Sequence, residues 1–245
     1  MTGLVTDTRV VFSRELRPVL RNPFSVVFTM VQPLVFLGLF APLLPDELSL
    51  QWFVPGIVVM SCLFGTSMTG SNLLFEIQTG SHERMLVTPL RRPALLIGRA
   101  LKEIVPVVVQ AAVIVSLCLP FGFDLHLGGA VLGLVILSVC CLGLGSLSYT
   151  LALAAKNQEW LFWTVQQTLL FPLLLLAGML LPIEAGPAWL QTLAKGNPLT
   201  YVVDAERALF NGEIWASTTV TGAIAAAGMG AFGLLVGVRA MRRSA

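Results

Sequence analysis

Groups able to do chemistry are scarce in this chain, and many of them fall in one stretch. Residues 75–103 read FEIQTGSHERMLVTPLRRPALLIGRALKE and hold five of the 15 Lys and Arg residues, three of the 13 acids and one of the two histidines, His82. Membrane hydrolases bind metal or activate water with clusters of His, Asp or Glu. The second histidine, His126, falls on the opposite predicted side of a membrane, so the two cannot share a site, and each reads as a solvated loop residue. The four cysteines (Cys62, Cys118, Cys140 and Cys141) lie in apolar runs without CxxC or Cys/His spacing. They read as small buried hydrophobes, with neither a metal site nor a disulfide expected. A phosphate-binding loop needs a lysine after a glycine-rich turn, where backbone amides and the ammonium cradle the phosphates. The lysines are Lys102, Lys156 and Lys195, and none follows a glycine. No catalytic residue and no cofactor bound by this chain are therefore expected.

Those few groups must be held by something, and composition says what. The 245 residues are 56% hydrophobic and 11% charged, against about 25% charged in an average soluble domain. So few charges cannot cover a surface in water, and hydrocarbon is the expected solvent for most of the chain. The net charge of +2 is too small to suggest nucleic acid as a partner. Crossing a bilayer core takes roughly 20 apolar helical residues. Six stretches qualify, at about 24–44, 52–74, 104–122, 129–153, 161–181 and 217–238, and none contains Asp, Glu, Lys or Arg. The first is too long for a signal-peptide core, follows a basic segment and lacks an A-x-A site, so it is expected to remain as a span.

Charge decides orientation. Arg9, Arg14, Arg17 and Arg21 precede the first stretch, and Arg84, Arg91, Arg92, Arg99 and Lys102 lie between the second and third. Lys156 and then Arg239, Arg242 and Arg243 fall on the same face, whereas only Lys195 and Arg207 fall on the other. The positive-inside rule makes the first face, with both termini, cytoplasmic. Trp52, Trp160, Trp163, Trp189 and Trp215 sit at or beyond span ends, as interfacial anchors should. Proton-coupled carriers usually place ionisable groups within the membrane. These stretches have none, so uphill transport would need a partner gripping the protein from the cytoplasm.

Several local patterns carry further expectations. Residues 9–23 read as an amphipathic interfacial helix, with Arg14, Arg17 and Arg21 on one face and Phe12, Leu16 and Val19 on the other. Arg9 falls on its apolar side, and Pro18 should break or kink it. In the charged stretch, a short helix ending before Pro89 would show charges to water and an apolar knob, from Met85, Leu86, Val87 and Leu90, to a neighbour. A solvated loop is the competing reading. Asn197 and Pro198 make a good N-cap and first helical residue. A helix after them would place Tyr201, Val202, Ala205 and Leu209 on one face and pair Asp204 with Arg207, until Asn211–Gly212 ends it. Gln32, Gln166 and Gln167 are the least lipid-like residues of the spans and should face protein or a path. Interhelical hydrogen bonding would serve them equally. Gly129–Gly133 and Gly233–Gly237 have spacings that allow close helix packing.

Taken together, these segments resemble the permeases of type-2 ABC transporters, especially the daunorubicin-resistance-like branch. The cytoplasmic stretch is similar to that family's coupling loop through Glu76, Gly80, Glu83, Leu86, Thr88 and Pro89. RELRPVLRNPFSVVFTMVQPLVFLGLF resembles its N-terminal helix and first span, and GNPLTYVVDAERALFNG its segment before the last span. The resemblance covers nearly the whole chain. It implies an all-α integral membrane fold of six transmembrane helices in a single domain spanning 1–245. Its other parts would be an amphipathic interfacial segment (1–23), a cytoplasmic coupling helix (within 75–103) and an extracellular re-entrant hairpin (182–216). It also implies the membrane half of an ATP-driven exporter in a bacterial plasma membrane. Two copies of a separate P-loop ATPase would use ATP and Mg below a second permease copy or related subunit. Coupling would then rest on Glu76, Gly80, Glu83, Arg84, Leu86, Thr88 and Pro89 with Arg14, Arg17 and Arg21. The path, lined in the family partly by spans one and five, would draw on Phe28, Gln32, Phe36, Gln166 and Gln167. The outer gate would draw on Asn197, Pro198, Tyr201, Asp204 and Arg207. With few polar groups in the spans, a hydrophobic or amphipathic drug or antibiotic is the expected cargo. A lipid-linked polysaccharide or lipid, or a passive channel or scaffold without a motor, are the alternatives.

Overall fold

In the computed structural model, residues 3–21, 24–44, 49–88, 90–155 and 158–243 are described, without the side chains of Ser25, Val26 and Leu86. Every regular element among them is helical. The chain runs through α1 (Leu4–Arg21), α2 (Phe24–Phe40), α3 (Leu50–Gln78), the short α4 (Ser81–Leu86) and α5 (Arg92–Cys118). It continues with α6 (Leu127–Ala154), α7 (Glu159–Leu176), α8 (Ala188–Lys195), α9 (Pro198–Phe210) and α10 (Ser217–Arg243).

Four segments are long and apolar enough to cross a membrane: Leu50–Gln78, Arg92–Phe121, Leu127–Ala154 and Ser217–Arg243. The first stretch supplies a shorter apolar helix, Val27–Leu43, which at 1.5 Å per residue reaches about 26 Å against a core of about 30 Å. α7 is interrupted by Gln166 and Gln167 and begins on Glu159.

α3 lies at the centre, the most buried of the four spans. Around it, glycines bring backbones together. A Cβ at Gly233 of α10 would collide with the backbone of Gly143 on α6, and one at Gly129 with the carbonyl of Leu209 on α9. Both glycine spacings seen in the sequence are thus used for close packing, Gly133 meeting Glu206 and Gly237 meeting Leu96. The 182–216 segment contains two helices rather than an extended loop, and α9 buries Leu199, Val202, Val203, Ala205 and Leu209 against the bundle. Tyr201 departs from the expected apolar face: it is exposed at the helix edge, where its hydroxyl donates to the Lys195 carbonyl at 2.9 Å.

Three expectations are corrected. Pro18 does not break α1, which runs on through it to Arg21. The seam of α1 that is buried is Asp7 and Val11, whereas Phe12, Leu16 and Val19 are only partly covered. The cause is Gly98 of α5, where an added Cβ would stand 2.8 Å from that of Val11. Finally, the 75–103 loop is mostly helix: α3 runs on to Gln78, and α5 starts at Arg92, so Arg99, Lys102 and Glu103 are buried helical residues.

Candidate coupling site

The site is a chain reversal clamped by one arginine. α3 ends at Gln78 with Thr79 as its C-cap, and Gly80 takes φ 68°, a left-handed conformation in which a side chain would be strained. That turn launches α4. After it, the Thr88 hydroxyl donates to the Met85 carbonyl at 2.6 Å. Pro89 and the Leu86 side chain lie outside the described residues, as does the Asn22–Pro23 entry to α2. The start of α5 is held by α1: the buried Asp7 carboxylate accepts from the Arg91 backbone N–H at 3.3 Å. A negative charge there also suits the positive end of the α5 dipole.

Seven residues into α5, Arg99 is buried with its guanidinium facing four other helices. It pairs with Glu76 from the last turns of α3 and lies 3.4 Å from Glu15 of α1. Its Nη1 is 3.4 Å from the Tyr149 hydroxyl of α6, and it lies over that ring at 5.5 Å. The Met85 sulfur of α4 accepts from Arg14 and, at 3.9 Å, from Arg99. A guanidinium suits this position because its planar fork of donors serves several acceptors at once.

His82, expected in solvent, is 4% exposed and meets the Tyr149 ring edge-on at 6.5 Å. Neither ring nitrogen has a hydrogen-bond partner among the described residues. Burial, and then the Arg99 charge beside it, lower its pKa to about 4, so the imidazole is neutral.

The expected coupling set therefore divides. Glu76 faces inward. Arg14 is exposed but bonded to Met85, and Arg17 and Arg21 are exposed on α1. Glu83, Arg84 and Thr88 face outward beside Val87, which is 85% exposed. Arg99, Glu15, Tyr149 and His82 were not expected in the site. Spacing offers no sign of them, because Arg99 lies 84 residues from Glu15 and 50 from Tyr149.

The remaining expected residues occupy two other regions. Gln166 is buried and donates to the Ser67 carbonyl at 3.3 Å, so interhelical bonding accounts for it. Gln32, Gln167 and Phe28 are exposed, while Phe36 is half-buried and stacks on Phe40 at 5.6 Å. On α9, Asn197 caps the helix by accepting from Leu199 N–H at 3.1 Å and donates to the Leu173 carbonyl at 2.8 Å. Pro198 is its first residue. Arg207 donates to the carbonyls of Trp52 (3.1 Å) and Gly178 (2.6 Å), stacks over the Trp52 ring at 3.8 Å, and lies 3.5 Å from Asp204. These contacts pin α9 to α3 and α7. Among the described residues, no group of His, Cys, Asp or Glu is arranged to hold a metal.

The profile of the ABC-2 type transporter family matches residues 6–211, a range that contains the Arg99 node and α9. The chain belongs to that family. Its relatives include the daunorubicin resistance ABC transporter permease protein DrrB1 of Streptomyces coeruleorubidus, 29% identical over 78% of this chain and 70% of that protein. A putative transport permease, ycf38, of Cyanophora paradoxa is 30% identical over 80% of this chain and 71% of its own length. A probable doxorubicin resistance ABC transporter permease protein, DrrC, of Mycobacterium tuberculosis is 24% identical over 83% and 76%. This ABC-2 permease is accordingly a multi-pass membrane subunit of an ABC transporter, with drug-resistance permeases among its relatives.

Proposed function

We propose that this permease exports a hydrophobic or amphipathic compound with energy from a separate ATPase subunit that docks on α4. The outward face of α4 and the turn after it carries the reading. Glu83, Arg84, Val87 and Thr88 present charge and one bare apolar residue, while Met85 on the opposite face is held by Arg14 and Arg99. A push on α4 would reach α1, α3, α5 and α6 through that one guanidinium. Two ATPase copies, binding ATP and Mg, would serve two permease copies or this chain and a related subunit. α2 and α7 would complete six spans, with both termini in the cytoplasm of a bacterial cell. Gln32 and Gln167 support a paired assembly, because exposed amides at membrane depth need protein or a water-filled path beside them. Phe28 and Phe36 would supply its apolar wall. The α8–α9 hairpin would enter the outer leaflet, with Asn197, Pro198, Tyr201, Asp204 and Arg207 fixing an exit gate. The daunorubicin and doxorubicin resistance relatives favour a drug or antibiotic as cargo.

The test is affinity purification from native membranes in mild detergent. A P-loop ATPase should accompany the parent and be lost from Glu83→Lys, with that variant still folded. Absence of an ATPase from the parent across several detergents would sink the coupling reading and favour a passive channel.

A further inference from the structure

A second polar group lies apart from the Arg99 node, in a cleft of about 470 Å³ between α2, α3 and α5. That volume falls within the range of small-molecule sites. Phe24, Phe28, Met68, Pro106 and Val107 supply apolar walls. Lys102 and Glu103 lie at one end as an ion pair of 2.8 Å, both side chains nearly buried. Two turns further along α5, about 12 Å away at 1.5 Å per residue, Gln110 is 1% exposed and donates to the Thr29 hydroxyl at 2.7 Å. Its other atom, Oε1, is buried with no hydrogen-bond partner among the described residues. Gly65 keeps the space before that oxygen open: a Cβ there would come to 3.8 Å from it, and a longer side chain would fill the gap.

An acceptor left unpaired in an apolar wall is costly unless something donates to it. We propose that this cleft binds an amphiphile carrying hydroxyl or amine donors, its apolar body along the α2 and α5 walls, one donor on Gln110 Oε1 and its polar head at the Lys102–Glu103 pair. The pair is neutral overall, so a charged head of either sign gains no net attraction. The preference for an amine or hydroxyl head comes from Glu103 Oε1, a second buried acceptor that, its ion pair apart, has no hydrogen-bond partner among the described residues. Asn72 stands exposed at the rim and adds an amide to the same head. The assignment rests on the exporter reading only in that it makes the occupant a cargo. An amine-headed membrane lipid has the same chemistry.

Doxorubicin, an amphiphile with hydroxyl and amine donors and its own fluorescence, is the probe. Its anisotropy is titrated on the full-length permease in phosphatidylcholine nanodiscs, where the lipid head has no N–H, and without any ATPase. Loss of motor coupling would therefore leave this result standing, and the reverse holds too. The parent should bind saturably. Gly65→Leu should weaken binding at least tenfold by filling the cleft, and Gln110→Met severalfold by removing the acceptor. Gly228→Leu, the same change where nothing lies within 4 Å, should bind as the parent does. If Gly65→Leu does not fold, Gln110→Met decides alone. Replacing half the lipid by phosphatidylethanolamine separates the sources. Competition in the parent identifies an amine-headed lipid as occupant, and no competition identifies a cargo. Parent-like binding by both cleft variants, or no saturable binding by the parent, overturns the proposal.

Discussion

The carboxylate of Glu76, near the end of α3, pairs with the guanidinium of Arg99, buried in α5, across a reversal of 23 residues. Between them the chain makes α4, whose Met85 leans on the same guanidinium from the side. The pair thus closes the reversal like a clasp. Buried ion pairs often add little net stability over an apolar substitute, because both charges lose water. In some proteins such pairs instead penalise other arrangements, and an effect of that kind here would fix α4 relative to the spans.

Arg99→Met should leave Glu76 and Glu15 without their cation inside the protein. Removing one partner of a buried pair typically costs about 3 kcal/mol or more, and Glu76 retains some solvent, which places the expected loss near the lower end. Thermal unfolding of the purified protein in detergent measures it. Arg99→Met combined with Glu76→Gln and Glu15→Gln should recover much of the loss. A triple variant no more stable than the single would mean that packing rather than charge is what Arg99 supplies.

Val87→Asp separates docking from folding. Val87 touches water over most of its surface, so its replacement should shift unfolding by less than about 0.5 kcal/mol. Copurification of the ATPase should nevertheless drop severalfold, since a charge would enter an apolar contact. A variant that keeps its ATPase would move the docking face away from this end of α4.

What could be read beforehand follows the range of each interaction. Spans are legible because hydrocarbon demands long apolar runs, and the Asn197–Pro198 cap because capping acts within two residues. Gly80 stood in a motif, but nothing in that motif named the left-handed turn it makes. The Arg99 node was illegible: its acids and its tyrosine come from three helices that only tertiary packing assembles. His82 misled for a related reason. A polar residue in a charged stretch reads as solvated, yet the Tyr149 ring of α6 packs against His82, which is buried. Lys102 and Glu103 looked like loop charges because the apolar run begins only after them; the start of α5 was signalled instead by Pro93, its second residue.

Glycine packing makes a sharper test of the fold. Gly233→Ala would drive a methyl into the Gly143 backbone, which has no side chain to swing away. A loss of about 1–3 kcal/mol is expected, the usual range for overpacking. Gly228→Ala, five residues earlier on the same helix, meets open space and should be neutral or slightly stabilising. Equal behaviour of the two would mean that α6 and α10 do not approach as closely as described.

His82 gives the structure a pH dependence of definite sign. Its folded pKa, about 4, lies below its ordinary value of 6.5, so between these values the unfolded chain binds more protons than the folded one. Stability from the neutral, buried ring is whole above about pH 6.5 and is lost as pH falls through about 4. Unfolding midpoints measured from pH 7.5 down to 4.5 should fall for the parent. His82→Phe keeps a ring against Tyr149 but takes up no proton, so its profile should be flatter, while carboxylates such as Glu76 still titrate in both proteins. His82→Lys would instead put an amine beside Arg99 whose charged form is opposed by burial and by the guanidinium, and it should be the least stable of the three. Parallel profiles for the parent and His82→Phe would show that the imidazole titrates alike in both states, which a ring buried beneath α4 does not do.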